Sequence, residues 1–127
     1  MLRKDMTVLI VDDFSTMRRI MRNMLRELDF KNILEAEDGT AAVRVLETHP
    51  VDLIISDWNM PKMTGLDFLK HVRATESTKD IPFLMITAEA QKENILEAVK
   101  ARVSNYIVKP FTAATLGEKL VKIMPQG

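Results

Sequence analysis

Five short apolar runs, each halted by polar residues and followed by a stretch of helical period, limit the possible folds of this chain more than any other feature. They are Thr7-Val8-Leu9-Ile10-Val11, Ile33-Leu34-Glu35-Ala36, the run Val51-Asp52-Leu53-Ile54-Ile55-Ser56-Asp57, Pro82-Phe83-Leu84-Met85-Ile86-Thr87, and Asn105-Tyr106-Ile107-Val108-Lys109. The first run is short and β-branched, the fourth is apolar, and the core of the third, Leu53 to Ile55, is rich in β-branched residues and uninterrupted, which suits a strand buried on both faces. The second run is weaker and fits an edge strand. Strand then helix, five times over, predicts an α/β fold: a five-stranded parallel sheet with right-handed crossovers and helices on both faces.

The intervening stretches support that alternation. Met17, Ile20, Met21, Met24, Leu25 and Leu28 recur at helical spacing after Ser15, which is expected to cap the helix; Arg18, Arg19, Arg22 and Arg26 form an opposite, solvated face. Asp38-Gly39 reads as a turn before a helix over Thr40 to Thr48, with Val43 and Leu46 inward. Asn59 to Gly65 contains Pro61 and Gly65 and reads as a loop. Leu66, Leu69 and Val72 mark the next helix, with Phe68 on a flanking side. A helix from Gln91 to Ala101 takes Ile95, Leu96, Ala98 and Val99 as apolar positions. Thr112 caps a last helix whose stripe is Leu116, Leu120, Ile123 and Met124.

Composition excludes several classes of function. The 127 residues carry 18 Lys plus Arg against 18 Asp plus Glu, so no global field points to nucleic acid or an anionic membrane. The absence of cysteine excludes disulfide scaffolding and thiolate chemistry. No stretch approaches the length of a transmembrane helix, and a soluble, cytoplasmic, monomeric protein of one domain (1–127) is expected.

Polar residues gather at the strand ends: Asp12 and Asp13 after the first, Asp57 after the third, Thr87 after the fourth and Lys109 after the fifth. In a parallel sheet these share one edge, where open α/β sheets bind ligands. Converging carboxylates repel one another and call for a cation, and ligands that are all oxygen favour a hard one such as magnesium. Magnesium held by one or two carboxylates accompanies phosphate oxygens, which points to phosphoryl chemistry on Asp57, with Lys109 and Thr87 as partners of the transferred group.

The runs Val11-Asp12-Asp13-Phe14-Ser15-Thr16-Met17-Arg18-Arg19, Ser56-Asp57-Trp58-Asn59-Met60-Pro61, Thr87-Ala88-Glu89-Ala90 and Tyr106-Ile107-Val108-Lys109-Pro110-Phe111-Thr112 resemble the receiver domains of two-component signalling, in particular the single-domain chemotaxis response regulators. The resemblance covers essentially the whole chain. It implies a flavodoxin-like, doubly wound (βα)5 fold with strand order 2-1-3-4-5. It implies Asp57 as phosphoacceptor from a histidine kinase, with magnesium held by Asp12, Asp13, Asp57 and the backbone carbonyl of Asn59. It further implies Thr87 and Lys109 as contacts of the phosphoryl group, a cis Lys109-Pro110 peptide, Tyr106 as a switch, and Asn59 and Glu89 as residues tuning hydrolysis. The implied partners are a chemotaxis-type sensor kinase, the flagellar motor switch and a phosphatase. The chain departs from the family in having Asp29 and Arg102 where glycines often end helices, and Gly117 inside the last helix.

Two other functions compete. A magnesium-dependent aspartyl-phosphate phosphohydrolase is disfavoured because Asp57-Trp58-Asn59 lacks a second acid two residues on. A flavin-binding module is disfavoured by the acidic rim and by a glycine count of 4. A stand-alone receiver with a target other than the motor is compatible with the same residues.

Overall fold

The computed structural model describes residues 5–88 and 92–124. Its elements run β1 (Thr7–Val11), α1 (Ser15–Glu27), β2 (Asn32–Ala36), α2 (Gly39–Thr48), β3 (Leu53–Asp57), α3 (Gly65–Ala74), β4 (Phe83–Thr87), α4 (Lys92–Lys100), β5 (Asn105–Val108) and α5 (Ala113–Ile123). The strands form one parallel sheet in the order β2-β1-β3-β4-β5, the parallel pairing expected from the alternation and the order implied by the resemblance.

The period of the strands divides the apolar runs between two cores. Val8, Ile10, Leu53, Ile55, Leu84, Ile86 and Ile107 pack with Met21 and Leu25 of α1 and Leu116 and Leu120 of α5. Their neighbours Leu9, Val11, Ile54, Phe83 and Met85 pack on the other side with Ala42 of α2 and Phe68, Leu69 and Val72 of α3. Every residue of β3 and β4 is buried, which explains runs without polar alternation. Each fully buried Leu or Ile contributes roughly 1.5–3 kcal/mol, so the middle of the sheet anchors the fold.

Local chemistry sets the helix ends. Asp38, Thr64 and Thr112 each accept a backbone N–H with their side chains, starting α2, α3 and α5. At α1 the expectation fails: Ser15 is already helical, and Phe14 holds the N-cap position without a side-chain acceptor. The Phe14 N–H donates instead to Asp12 Oδ1 at 2.9 Å. The C-terminal ends of α1 and α4 turn through left-handed residues, Asp29 (φ 70°) and Arg102 (φ 66°). Asp29 N donates to Arg26 O and Phe30 N to Leu25 O, and Arg102 N to Val99 O and Val103 N to Ala98 O. Both are Schellman closures made without glycine.

Four apolar side chains differ from expectation. Phe68 is fully buried, its ring 5.6 Å from that of Phe83 within the second core. Ile20 is 41% exposed at the margin of the α1 stripe, and Leu96 and Val99 of α4 are 49% and 58% exposed, leaving Ala98 as that helix's buried position. Among the described residues, no helix is long and apolar enough to cross a membrane.

Candidate functional site

Strand register assembles the acidic site. Ile10 pairs with Ile55, and two residues further along the same faces come Asp12 and Asp57. Asp57 in turn pairs with Ile86, and Ile86 with Ile107, two residues before Lys109. The predicted residues Asp12, Asp13, Asp57 and Lys109 thus meet at one edge. Lys109 Nζ lies 3.1 Å from Asp57 Oδ1 and 3.9 Å from Asp12 Oδ2. The Lys109-Pro110 peptide is cis.

Asp12 and Asp57 are buried and Asp13 is exposed, and one carboxylate oxygen from each lies within 4.8 Å of the others. Burial pushes the Asp57 carboxyl up from the ordinary 3.8, with the Asp13 charge adding to the rise and the Lys109 ammonium opposing it. Asp12 is raised too, first by burial and then by the charges of Asp57 and Asp13, against the Phe14 N–H and Lys109. Asp12 Oδ2 is buried and has no hydrogen-bond partner among the described residues. A carboxylate oxygen without a hydrogen bond, with the Lys109 ammonium 3.9 Å away and two further acids beside it, fits a hard divalent cation, and this group could hold one.

Thr87 is buried at the end of β4, and its carbonyl accepts the Lys109 N–H at 2.8 Å. Tyr106 pairs in register with Met85 and packs against the second core, so it and Thr87 share a strand parity opposite to that of Asp57. Asn59 is exposed in the loop after Asp57. Glu89 lies outside the described residues.

Several contacts at the site were not visible in the sequence pattern. The Lys119 ammonium sits 5.2 Å from the centre of the Tyr106 ring. A Cβ at Gly65 would fall 2.2 Å from the Asp57 carbonyl oxygen, and Gly65 N donates to Trp58 O at 2.8 Å; only glycine lets α3 begin against this strand end. Arg18, expected in a solvated face, donates to the Asp12 carbonyl at 2.6 Å and to Glu35 at 3.2 Å. An arginine placed six residues after an acid gives no local signal for either bond, because Glu35 comes alongside only through β1–β2 pairing.

Comparison with known proteins agrees with this geometry. The family model for the response regulator receiver domain matches residues 8–121. The chain is 59% identical over 122 residues to the chemotaxis protein CheY-3 of Vibrio cholerae, covering 96% of this chain and 94% of the relative. It is 56% identical over 118 residues to the chemotaxis protein CheY of Pseudomonas aeruginosa, covering 93% and 95%. Among solved structures, Vibrio cholerae CheY4 superposes with a TM-score of 0.89 at 34% identity, covering 94% of this chain and 99% of that one. The receiver domain of a Pseudomonas aeruginosa sensor histidine kinase, solved with magnesium in its active site cleft, superposes with a TM-score of 0.84 at 28% identity, covering 94% and 97%. Its acid-lined sheet edge, its strand order and these relatives agree: the chain belongs to the response regulator receiver domains, of the chemotaxis type.

Proposed function

We propose that Asp57 is the phosphoacceptor of a signalling switch that takes its phosphoryl group from a histidine kinase in a magnesium-dependent reaction. The observation that carries this reading is the buried Asp57 carboxylate with the Lys109 ammonium at 3.1 Å and the Asp12 and Asp13 oxygens alongside. An Asp57 oxygen attacks phosphorus, the donor's phosphorus–nitrogen bond breaks, and the freed imidazole takes up a proton. The product on Asp57 is an acyl phosphate. Asp12, Asp13, Asp57 and the Asn59 carbonyl would hold magnesium, which when bound neutralises charge on the phosphoryl oxygens. Lys109 supplies a point charge to those oxygens, and Thr87 a hydroxyl donor.

Output runs through Tyr106, which changes position with Thr87 and alters the surface carrying α4, β5 and α5. The exposed Leu96 and Val99 support α4 as part of that surface. Relatives named as chemotaxis proteins support a flagellar motor switch as the partner. A phosphatase as the route back, and Asn59 and Glu89 as residues tuning hydrolysis, follow from the resemblance alone. The protein would act in the cytoplasm as a monomeric receiver of residues 1–127.

Incubation with magnesium and a small acyl phosphate is expected to add one phosphoryl mass, located at Asp57. Equal labelling of an Asp57→Asn protein would sink the assignment. Retention of a motor-switch component only by protein carrying a phosphoryl mimic tests the output.

A further inference from the structure

We infer that Arg18 is a positioning residue for the divalent cation, acting through the peptide that joins Asp12 to Asp13; the inference rests on the metal reading above. Nearly every polar atom of Asp12 is already committed. Its N–H donates to Ala36 O at 3.2 Å, its carbonyl accepts from Arg18 Nη1 at 2.6 Å, and its Oδ1 accepts from Phe14 N at 2.9 Å. The remaining oxygen, Oδ2, is buried, lies 3.9 Å from the Lys109 ammonium and has no hydrogen-bond partner among the described residues. The anchors therefore aim a single oxygen at the site.

The carbonyl that Arg18 grips lies in the peptide plane whose two ends carry Asp12 and Asp13, so one guanidinium bond sets the orientation of both acids. Arg18 is itself held. Its Nε donates to Glu35 Oε1 at 3.2 Å, and Arg22 engages Glu35 Oε2. Glu35 stands on β2 opposite Ile10, so the chain of contacts runs from the edge strand to the metal-facing turn. With 17% of its side chain exposed, Arg18 is largely sheltered from competing water. Outer partners that orient ligands in this way change metal affinity about 10–100-fold when removed.

Charge and positioning predict opposite signs. Arg18→Met deletes a positive charge near a divalent cation, and Coulomb's law alone would tighten binding. Loss of positioning loosens it. Magnesium is titrated into metal-free protein, followed by calorimetry and by fluorescence of Trp58, the sole tryptophan and the neighbour of Asp57. The expected result is about tenfold weaker binding for Arg18→Met, partial recovery for Arg18→Lys, and a change within about twofold for Arg22→Met, which loses the same charge but no contact with Asp12. Melting in chelator separates folding from affinity. Unchanged or tighter binding by folded Arg18→Met overturns the inference, as does equal weakening by Arg22→Met. Failure of the unsubstituted protein to bind magnesium at all overturns the metal reading and this inference with it.

Discussion

Asp57 carries its charge where water cannot offset it, and that has a stability consequence with a definite sign. Its folded-state pKa is raised above the ordinary 3.8, chiefly by burial. Between the unfolded and folded values the native state binds more protons than the unfolded one, so stability falls as pH rises through that window and stays lowered at neutral pH. Asp57→Asn is expected to stabilise metal-free protein by about 1 kcal/mol at neutral pH and to lose that advantage below the ordinary carboxyl range. Urea titrations at neutral and acidic pH measure the difference; an advantage that grew on acidification would contradict it. Gly65 fails in the other direction. A methyl group 2.2 Å from the Asp57 carbonyl oxygen meets backbone rather than a yielding side chain. Gly65→Ala is expected to cost roughly 3 kcal/mol, seen as a lower urea midpoint with an unchanged slope.

The elements were legible where burial dictates them. β3 and β4 read as strands because both faces are covered, so their hydrophobicity is continuous. Helix margins were harder to read. Ile20 obeys the spacing of the α1 stripe yet stands in solvent, and Arg18 sits among the charged residues yet reaches the Asp12 carbonyl. Both depend on what packs beside the helix, which periodicity cannot report. The left-handed closures hid for another reason: Asp29 and Arg102 are not the residue types that announce them. Their backbone strain is testable. Asp29→Gly is expected to stabilise the protein by about 0.5 kcal/mol, after allowing for the greater freedom glycine adds to the unfolded chain. Asp29→Val, β-branched in the same conformation, is expected to destabilise it by more than about 1 kcal/mol. Thermal midpoints in one buffer decide both, and equal midpoints for the two variants would remove the strain argument.

At the scale of the whole molecule, the residues before and after the apolar runs give the site its meaning, because only the strand order brings Asp12, Asp57 and Lys109 within contact. On the proposed metal reading, the same convergence that destabilises the metal-free fold would supply the affinity for a cation, so the two effects are coupled and separable by ligand. In chelator, Asp57→Asn is expected to melt above the unsubstituted protein by about 3–5 °C, the equivalent of roughly 1 kcal/mol for a chain of this size. Magnesium that binds only the native state stabilises it by about 2.7 kcal/mol at a hundredfold excess over Kd. The carboxamide introduced by Asp57→Asn keeps the volume of the acid but not its charge, so that variant binds the cation more weakly and gains less. The two melting curves therefore converge as magnesium is added, and the unsubstituted protein overtakes at saturation. A constant offset from chelator to saturating magnesium would mean that Asp57 takes no part in holding the cation, and would leave Asp12 and Asp13, among the described residues, to do so.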